Sequence, residues 1–131
     1  MQIVKEESEL RVVTPNEPGI YGRVLGTLAN AGINLRAINV SSEGDKGIFQ
    51  LITADNAKAE KALRTLGYSV RTRMVVTMTI SDRVGAGAEI GLLLGNAIID
   101  VKSCYGTSGG GGQTLLVFQT NNNRKAVHTL K

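Results

Sequence analysis

The chain has 131 residues and a net charge of +4, with 42% apolar residues, 20% charged residues and no tryptophan. This balance is typical of a folded globular protein and excludes an intrinsically disordered chain. The basic residues are scattered along the sequence, so the charge favours a solvated surface over a nucleic-acid-binding face. No apolar run reaches the roughly 20 residues that span a bilayer, and the first residues lack a signal-peptide pattern. We therefore expect a cytoplasmic protein that binds neither membranes nor nucleic acid.

An internal repeat organises the chain, with an offset of 66 residues that becomes 67 after a glycine-rich run. Self-similarity at a fixed spacing predicts two copies of one structural unit. We place the first domain at residues 1–72 and the second at residues 73–131. The identical pairs include Gly19 with Gly85, Leu28 with Leu94, Asn30 with Asn96, Ile33 with Ile99, Thr53 with Thr120, and Asn56 with Asn123.

The first copy is predicted to contain six elements, from its apolar spacing and its glycine, proline and capping residues. They are a strand at 10–13, a helix at 20–31 ended by Gly32, strands at 34–40 and 48–52 joined by a turn at 41–47, a helix that begins at Asp55 or Asn56 and ends at Gly67, and a strand at 68–71. This order is the split βαβ arrangement.

The second copy repeats this order but lacks its last strand. Its predicted elements are a strand at 74–80, a helix at 86–96, strands at 98–105 and 114–119, and a helix at 124–130. The predicted fold class is therefore α+β, with two ferredoxin-like βαββαβ repeats on antiparallel sheets. Without the last strand, residues 74–80 would keep an unpaired edge, which favours association into a homodimer or larger homo-oligomer.

The residues that carry catalytic chemistry are scarce. The chain has one histidine, His128, and one cysteine, Cys104, whereas nucleophilic catalysis needs a nucleophile with a base and zinc takes about four ligands. The glycine run at 106–112 lacks the Gly-Lys-Ser/Thr of a phosphate loop and precedes a strand, so it predicts a flexible hairpin or a lid. We predict no catalytic residue, no metal and no cofactor.

The segment Asn16-Glu17-Pro18-Gly19 carries the functional signal, because it lies between a strand and the start of a helix. Glycine permits close backbone approach, and the first amides of a helix bind a carboxylate well. Asn16 and Asn34 each offer a side-chain oxygen to an ammonium group. Together these groups would suit a zwitterion, although the same residues are also good turn formers.

This segment and the residues after it resemble the opening of an ACT domain. The residues that carry the resemblance are Asn16, Glu17, Pro18, Gly19, Arg23, Val24, Gly26, Leu28, Gly32, Ile33 and Asn34. That family has the βαββαβ fold and commonly binds amino acids in regulatory proteins. Residues 16–34 are similar to the regulatory small subunit of acetolactate synthase, whereas the duplication resembles free-standing tandem ACT proteins.

The resemblance implies a ligand site in each copy. In the first copy Asn16, Gly19 and Ile20 would line the ligand, and Asn34 would complete the site across a domain interface. The matching residues of the second copy are Asp82, Gly85, Ala86 and Asp100. Both acids would repel a carboxylate, and Val84 replaces the proline, so we expect the two sites to differ.

Three classes of function follow. The leading one is a protein that senses an amino acid and allosterically modulates an enzyme of amino-acid metabolism. The second is a docking subunit without a ligand, for an enzyme such as acetolactate synthase. The third is an RNA-binding module, which would need exposed aromatic residues on its central strands. The candidate strands offer only Phe49, Tyr105 and Phe118.

Overall fold

A computed structural model describes residues 3–131 and contains six strands and four helices. In chain order these are β1 (Ile3–Pro15), α1 (Ile20–Asn30), β2 (Leu35–Glu43), β3 (Lys46–Thr53), α2 (Asn56–Arg64), β4 (Ser69–Ser81), α3 (Ala86–Asn96), β5 (Val101–Ser108), β6 (Gln113–Thr120) and α4 (Asn123–Leu130). The strands form one antiparallel sheet in the order β2-β3-β1-β4-β6-β5. None of the helices described is long and apolar enough to cross a membrane.

The chain divides into two compact units. The first unit comprises residues 8–73, and the second comprises residues 3–7 together with 74–131. In the first unit, one apolar face each of α1 and α2 packs on the strands, as their helical spacing predicts. Its core contains Leu10, Val12, Ile20, Val24, Leu28, Ile33, Phe49, Leu51, Ala59, Leu63 and Val70. The predicted βαββαβ order of this unit is confirmed.

Strand β4 is continuous where the sequence predicted two short strands, at 68–71 and 74–80. No glycine or proline interrupts residues 71–74, so nothing in the chain ends the first of these strands. Val70 packs in the core of the first unit, whereas Val76 and Met78 pack in that of the second. One strand therefore serves as the last strand of the first unit and the first strand of the second.

Strand β1 is also much longer than the predicted strand at 10–13. Its residues 3–7 belong to the second unit, where Val4 packs against the apolar core and Glu7 accepts a hydrogen bond from Thr77. The expected unpaired edge at 74–80 is wrong, because β4 lies between β1 and β6. No strand follows α4 among the described residues, but residues 3–7 lie beside β4 as a last strand would. The charged run Lys5-Glu6-Glu7 concealed this strand, because it lacks the apolar alternation that predicts one.

The hairpin between β2 and β3 is tighter than predicted. Only Gly44 and Asp45 separate the two strands, and Glu43 pairs with Lys46, so the predicted turn at 41–47 is wrong. The glycine run of the second unit does form a hairpin, in which residues 109–112 join β5 to β6. Longer strands bring both hairpin turns close to the loops that precede α1 and α3.

Candidate functional site

No side chain caps the start of helix α1 among the residues that the structure describes. Gly19 caps the helix in the left-handed conformation, with φ of 93°, and no side chain makes a capping hydrogen bond. The first turn contains no acidic residue, so no carboxylate of the helix competes there for the amides. The first N–H groups of a helix lack intrahelical partners and, with the helix dipole, favour an anion. This end of α1 is therefore suited to a carboxylate.

A cavity of about 350 Å³ lies beside this helix start. Its volume falls at the small end of the range for ligand pockets. Two of the predicted site residues, Asn16 and Ile20, line it, and Gly19 lies between them in the chain. The other lining residues are Thr14, Pro15, Glu17, Tyr21, Val40, Ser41, Ser42, Gly47 and Phe49.

Asn16 ties its loop to the β2–β3 hairpin. Its backbone N–H donates to the carbonyl oxygen of Asp45 at 2.9 Å, and its Nδ2 donates to that of Gly44 at 3.4 Å. The amide nitrogen therefore faces the hairpin, and Asn16 fixes a turn, which is one of the two roles that the sequence allowed. Its role in binding a ligand stays a prediction.

The wall of the cavity is apolar on one side and carries hydroxyl groups on the other. The rings of Tyr21 and Phe49 contact each other, with centroids 6.3 Å apart and a tilt of 35°. Phe49 is buried and Tyr21 is exposed at the rim. Ser41 and Ser42 supply hydroxyl groups from the end of β2. Sequence reasoning missed these four residues. It assigned the two serines to a long turn instead of a strand, and nothing local indicated that Tyr21 and Phe49 line the same cavity.

Thr14 and Gly47 fit closely against each other in the cavity wall. The Thr14 hydroxyl donates to the carbonyl oxygen of Pro15 at 2.9 Å. A Cβ added at Gly47 would lie 2.6 Å from Thr14 Oγ1, closer than real Cβ contacts allow. Gly47 is therefore required by close approach of two strands, a reason that only the pairing of Thr14 with Gly47 reveals.

Asn34 lies at the opposite end of the first unit from this cavity. It immediately precedes β2, whose first residue pairs with Thr53, whereas the hairpin next to Asn16 follows the last residue of β2. Nine strand residues separate these two ends, a distance of roughly 30 Å at about 3.3 Å per residue. The structure therefore does not bring Asn34 and Asn16 together within the first unit.

The second unit repeats the backbone of this site with different chemistry. Gly85 caps α3 with φ of 88°, and Ala86 begins the helix. The first turn of α3 carries Glu89, which forms a bidentate ion pair with Arg83. The hydrogen bond from Arg83, together with its charge, lowers the pKa of Glu89. The first turn of α3 therefore carries a carboxylate that the first turn of α1 lacks.

The two predicted acids of the second unit also have partners within the chain. Asp82 Oδ2 accepts from the Ser108 hydroxyl at 2.8 Å, and Asp100 pairs with Lys102 at 2.8 Å. Asp82 lies next to the β5–β6 hairpin, as Asn16 lies next to the β2–β3 hairpin. Asp100 precedes β5, as Asn34 precedes β2.

The side chains at the positions equivalent to the cavity wall are smaller in the second unit. The repeat offset places Gly87 where the first unit has Tyr21, Gly106 where it has Val40, and Leu116 where it has Phe49.

Comparison with known proteins agrees with this duplication. The family model described as an ACT domain pair matches residues 6–130. Among solved structures, the protein BT0572 from Bacteroides thetaiotaomicron shares 25% identity, with a TM-score of 0.90 over 97% of this chain and 88% of that one. The regulatory subunit of aspartate kinase from Thermus thermophilus shares 14%, with a TM-score of 0.70 over 97% and 93% of the two chains. That from Thermus flavus shares 17%, with a TM-score of 0.67 over 97% and 94%.

A comparison with curated proteins finds no match. The narrower resemblance of residues 16–34 to the acetolactate synthase subunit stays a prediction. The family model, in contrast, spans nearly the whole chain and describes the same duplicated unit that the repeat predicted. The protein therefore belongs to the ACT domain pair family.

Proposed function

We propose that this protein is a non-catalytic regulatory protein that binds one amino acid in the cavity of the first unit. The observation that carries the proposal is a helix start without a side-chain cap, at Gly19, beside a small cavity lined by acceptor and hydroxyl groups. A carboxylate would bind the amides of the first turn of α1. The ammonium group would bind Asn16 Oδ1, with the carboxylate of Glu17 on the same wall.

The lining gives the side chain of the ligand a mixed environment. Ile20, Val40 and Phe49 offer apolar contact, and Ser41 and Ser42 offer hydroxyl groups. None of the lining residues that the structure describes is basic, so an acidic ligand side chain would find no cation among them, and burying an unpaired charge is costly. We therefore expect neutral amino acids to bind better than aspartate or glutamate.

The second unit is proposed to differ in its ligand. The first turn of its helix α3 carries Glu89, and Asp82 lies three residues before Gly85, whereas Asp100 precedes β5 as Asn34 precedes β2. If Gly85 and Ala86 line a site, it would favour a cation over a zwitterion. Asn34 would contribute to the first site only across an interface, as the resemblance implies, because it lies far from Asn16 within its own unit.

The partner is proposed to be an enzyme of amino-acid metabolism. The support is the similarity in fold to proteins described as regulatory subunits of aspartate kinase. The RNA-binding alternative loses support, because Phe49 and Phe118 are both buried in apolar cores. The alternative of a ligand-free docking subunit, for example of acetolactate synthase, becomes the leading one if no amino acid binds.

The test is calorimetric titration of the full chain with each of the twenty amino acids, for the wild type and two matched variants. Gly19→Ala and Gly85→Ala each place a Cβ at a helix cap with φ near +90° and with nothing within 4 Å of it. Both therefore strain the fold alike, but only Gly19→Ala crowds the proposed carboxylate site. We expect Gly19→Ala to weaken binding at least tenfold and Gly85→Ala to leave it within twofold. Equal loss in both variants would contradict the proposed site.

A further inference from the structure

Arginine side chains gather on one face of the sheet in the first unit. Leu10 of β1 and Val70 of β4 pack with residues of α1 and α2 in the apolar core. Successive residues of a strand point to opposite faces, so Arg11, Arg71 and Arg73 lie on the face away from these helices. We call these three residues the arginine face. The two strands are distant in the chain, so the sequence alone gave no sign of this cluster.

The contact between Glu9 and Arg73 shows how β1 and β4 lie beside each other. Arg73 Nε donates to Glu9 Oε1 at 2.8 Å, and the two strands are antiparallel neighbours. Two residues later in β1 and two residues earlier in β4 therefore lead in the same direction, to Arg11 and Arg71. On one face of a sheet, opposite or diagonal neighbours have Cβ atoms about 5–8 Å apart. The guanidinium groups of Arg11 and Arg71 are thus neighbours.

Arg11 lacks an acceptor among the described residues. Its Nε is buried and makes no hydrogen bond within that part of the chain. The residue that pairs with it on β3 is Gln50, whose Oε1 already accepts from Asn39 Nδ2 at 2.7 Å. The acid that precedes it on the same face, Glu9, is bonded to Arg73 and has a further interaction. Since native proteins pair nearly all buried polar groups, Arg11 points to an acceptor from outside the chain.

Arg71 places a second positive charge beside Arg11. Its side chain is exposed, and it has no ion-pair partner among residues 3–131. Like charges at neighbouring positions on one face of a sheet are destabilising. An anion between the two guanidinium groups would remove this repulsion and would also accept a hydrogen bond from Arg11 Nε. One bound anion therefore accounts for both unfavourable features.

The second unit shows that the fold does not require these charges. The repeat places Thr77 at the position of Arg11. Thr77 donates a hydrogen bond to Glu7, and Glu7 forms an ion pair with Lys5 at 3.8 Å. In the second unit the cation Lys5 is therefore balanced by an acid of the same face, whereas Arg11 and Arg71 are not balanced in this way.

We propose that Arg11 and Arg71 bind a phosphate group on the arginine face. Because Glu9 neutralises Arg73, two positive charges remain, and a dianion balances both whereas a carboxylate balances only one. Phosphate also has enough oxygens to meet two guanidinium groups, each of which can donate two parallel hydrogen bonds. The group belongs to free phosphate or to a phosphorylated small molecule. This assignment does not rest on the amino-acid site beside Gly19.

The test is a nuclear magnetic resonance titration of the isotopically labelled full chain with inorganic phosphate at low ionic strength. We expect saturable shifts of the backbone amides centred on residues 9–11 and 71–73. Arg11→Gln and Arg71→Gln should each weaken binding at least tenfold, because each removes a charge-assisted contact. The matched control is Arg124→Gln, which removes one positive charge from the exposed side of α4 and should change the affinity by less than twofold.

The variants also distinguish this site from the other basic surface of the chain. Arg124 lines a separate cavity of about 540 Å³ with Lys125, His128 and Lys131. Loss of binding in Arg124→Gln alone would assign phosphate to that cavity and refute the arginine face. Circular dichroism verifies folding, and Arg71→Gln decides the matter if Arg11→Gln does not fold, because Arg71 is exposed. Unchanged affinity in Arg71→Gln, or no saturable binding to the wild type, would overturn the proposal.

Three further probes identify the source of the anion. Acetate carries a single charge and should not saturate over the same concentration range, so equal binding of acetate would contradict a site for a dianion. Glycerol 3-phosphate that binds more tightly than inorganic phosphate supports a phosphorylated small molecule, and the reverse order supports free phosphate. If an oligouridylate saturates the arginine face and inorganic phosphate does not, the face binds nucleic acid and the proposal is wrong.

Discussion

Removing Arg73 is expected to destabilise the first unit strongly. Glu9 lies in β1 with its side chain only 1% exposed, and Arg73 Nε donates to its Oε1 at 2.8 Å. Breaking a buried ion pair from one side costs about 3–5 kcal/mol, because it leaves a charge in a poorly solvated place. Arg73 is itself 26% exposed, and Glu9 has a further interaction. We therefore expect Arg73→Met to cost about 3 kcal/mol, the lower end of that range.

The assay is urea denaturation followed by far-ultraviolet circular dichroism. With a urea slope of about 2 kcal/mol/M, a loss of about 3 kcal/mol lowers the midpoint by roughly 1.5 M. The matched control is Lys102→Met, since Lys102 pairs with Asp100 at the same 2.8 Å but both side chains are more than half exposed. An exposed pair contributes only about 0.2–1 kcal/mol. If both variants shift the midpoint equally, burial of Glu9 is not the cause. The double variant Glu9→Gln/Arg73→Met should recover part of the loss, because it removes the buried charge of Glu9.

Three further predictions follow from packing and burial. Val4→Asp should destabilise the second unit by about 2 kcal/mol, because Val4 packs on its core, and hydrogen exchange should accelerate in residues 74–81 and not in 46–53. Gly47→Ala should lower the free energy of unfolding by about 1–3 kcal/mol, because the added Cβ meets Thr14. The matched control is Gly26→Ala, in open space on α1, which should raise the free energy of unfolding by about 0.5–1 kcal/mol. Thermal unfolding measures both changes. Burial raises the pKa of Cys104, so its alkylation should reach half-maximal rate above the pH of about 8.5 that marks a free cysteine.

The repeat predicted the fold well because it records contacts that both copies need. Asn56 Oδ1 accepts from the backbone N–H and the hydroxyl of Thr53, at 2.9 and 2.8 Å. Asn123 makes the same two bonds to Thr120, at 3.0 and 2.8 Å. The identities that revealed the duplication are in this case structural, because each pair ties the end of a strand to the start of a helix.

The strand boundaries were less predictable, because they depend on pairing between distant segments. Nothing local marks residues 3–7 as a strand, since their role comes from β4, some 70 residues later in the chain. The same holds for Ser41 and Ser42, which are strand residues only because Ile48 and Gly47 pair with them. The motif at Asn16–Gly19, in contrast, was identified from the sequence because proline, glycine and a following helix are local signals. The hairpin residues that line the cavity, Ser41 and Ser42, were not identified from the sequence.

The two copies have kept one backbone and changed its surface chemistry. Gly19 and Gly85 have φ of 93° and 88°, and the residues after helices α1 and α3 share the left-handed conformation. On this common frame the first turn of α1 contains no acidic residue, whereas the first turn of α3 contains Glu89 and its exposed side carries Leu92. Because the backbone is the same, these differences must act through side chains alone. Ligand binding is proposed for the first unit alone, and the comparison of Gly19→Ala with the matched variant Gly85→Ala tests that difference between the copies.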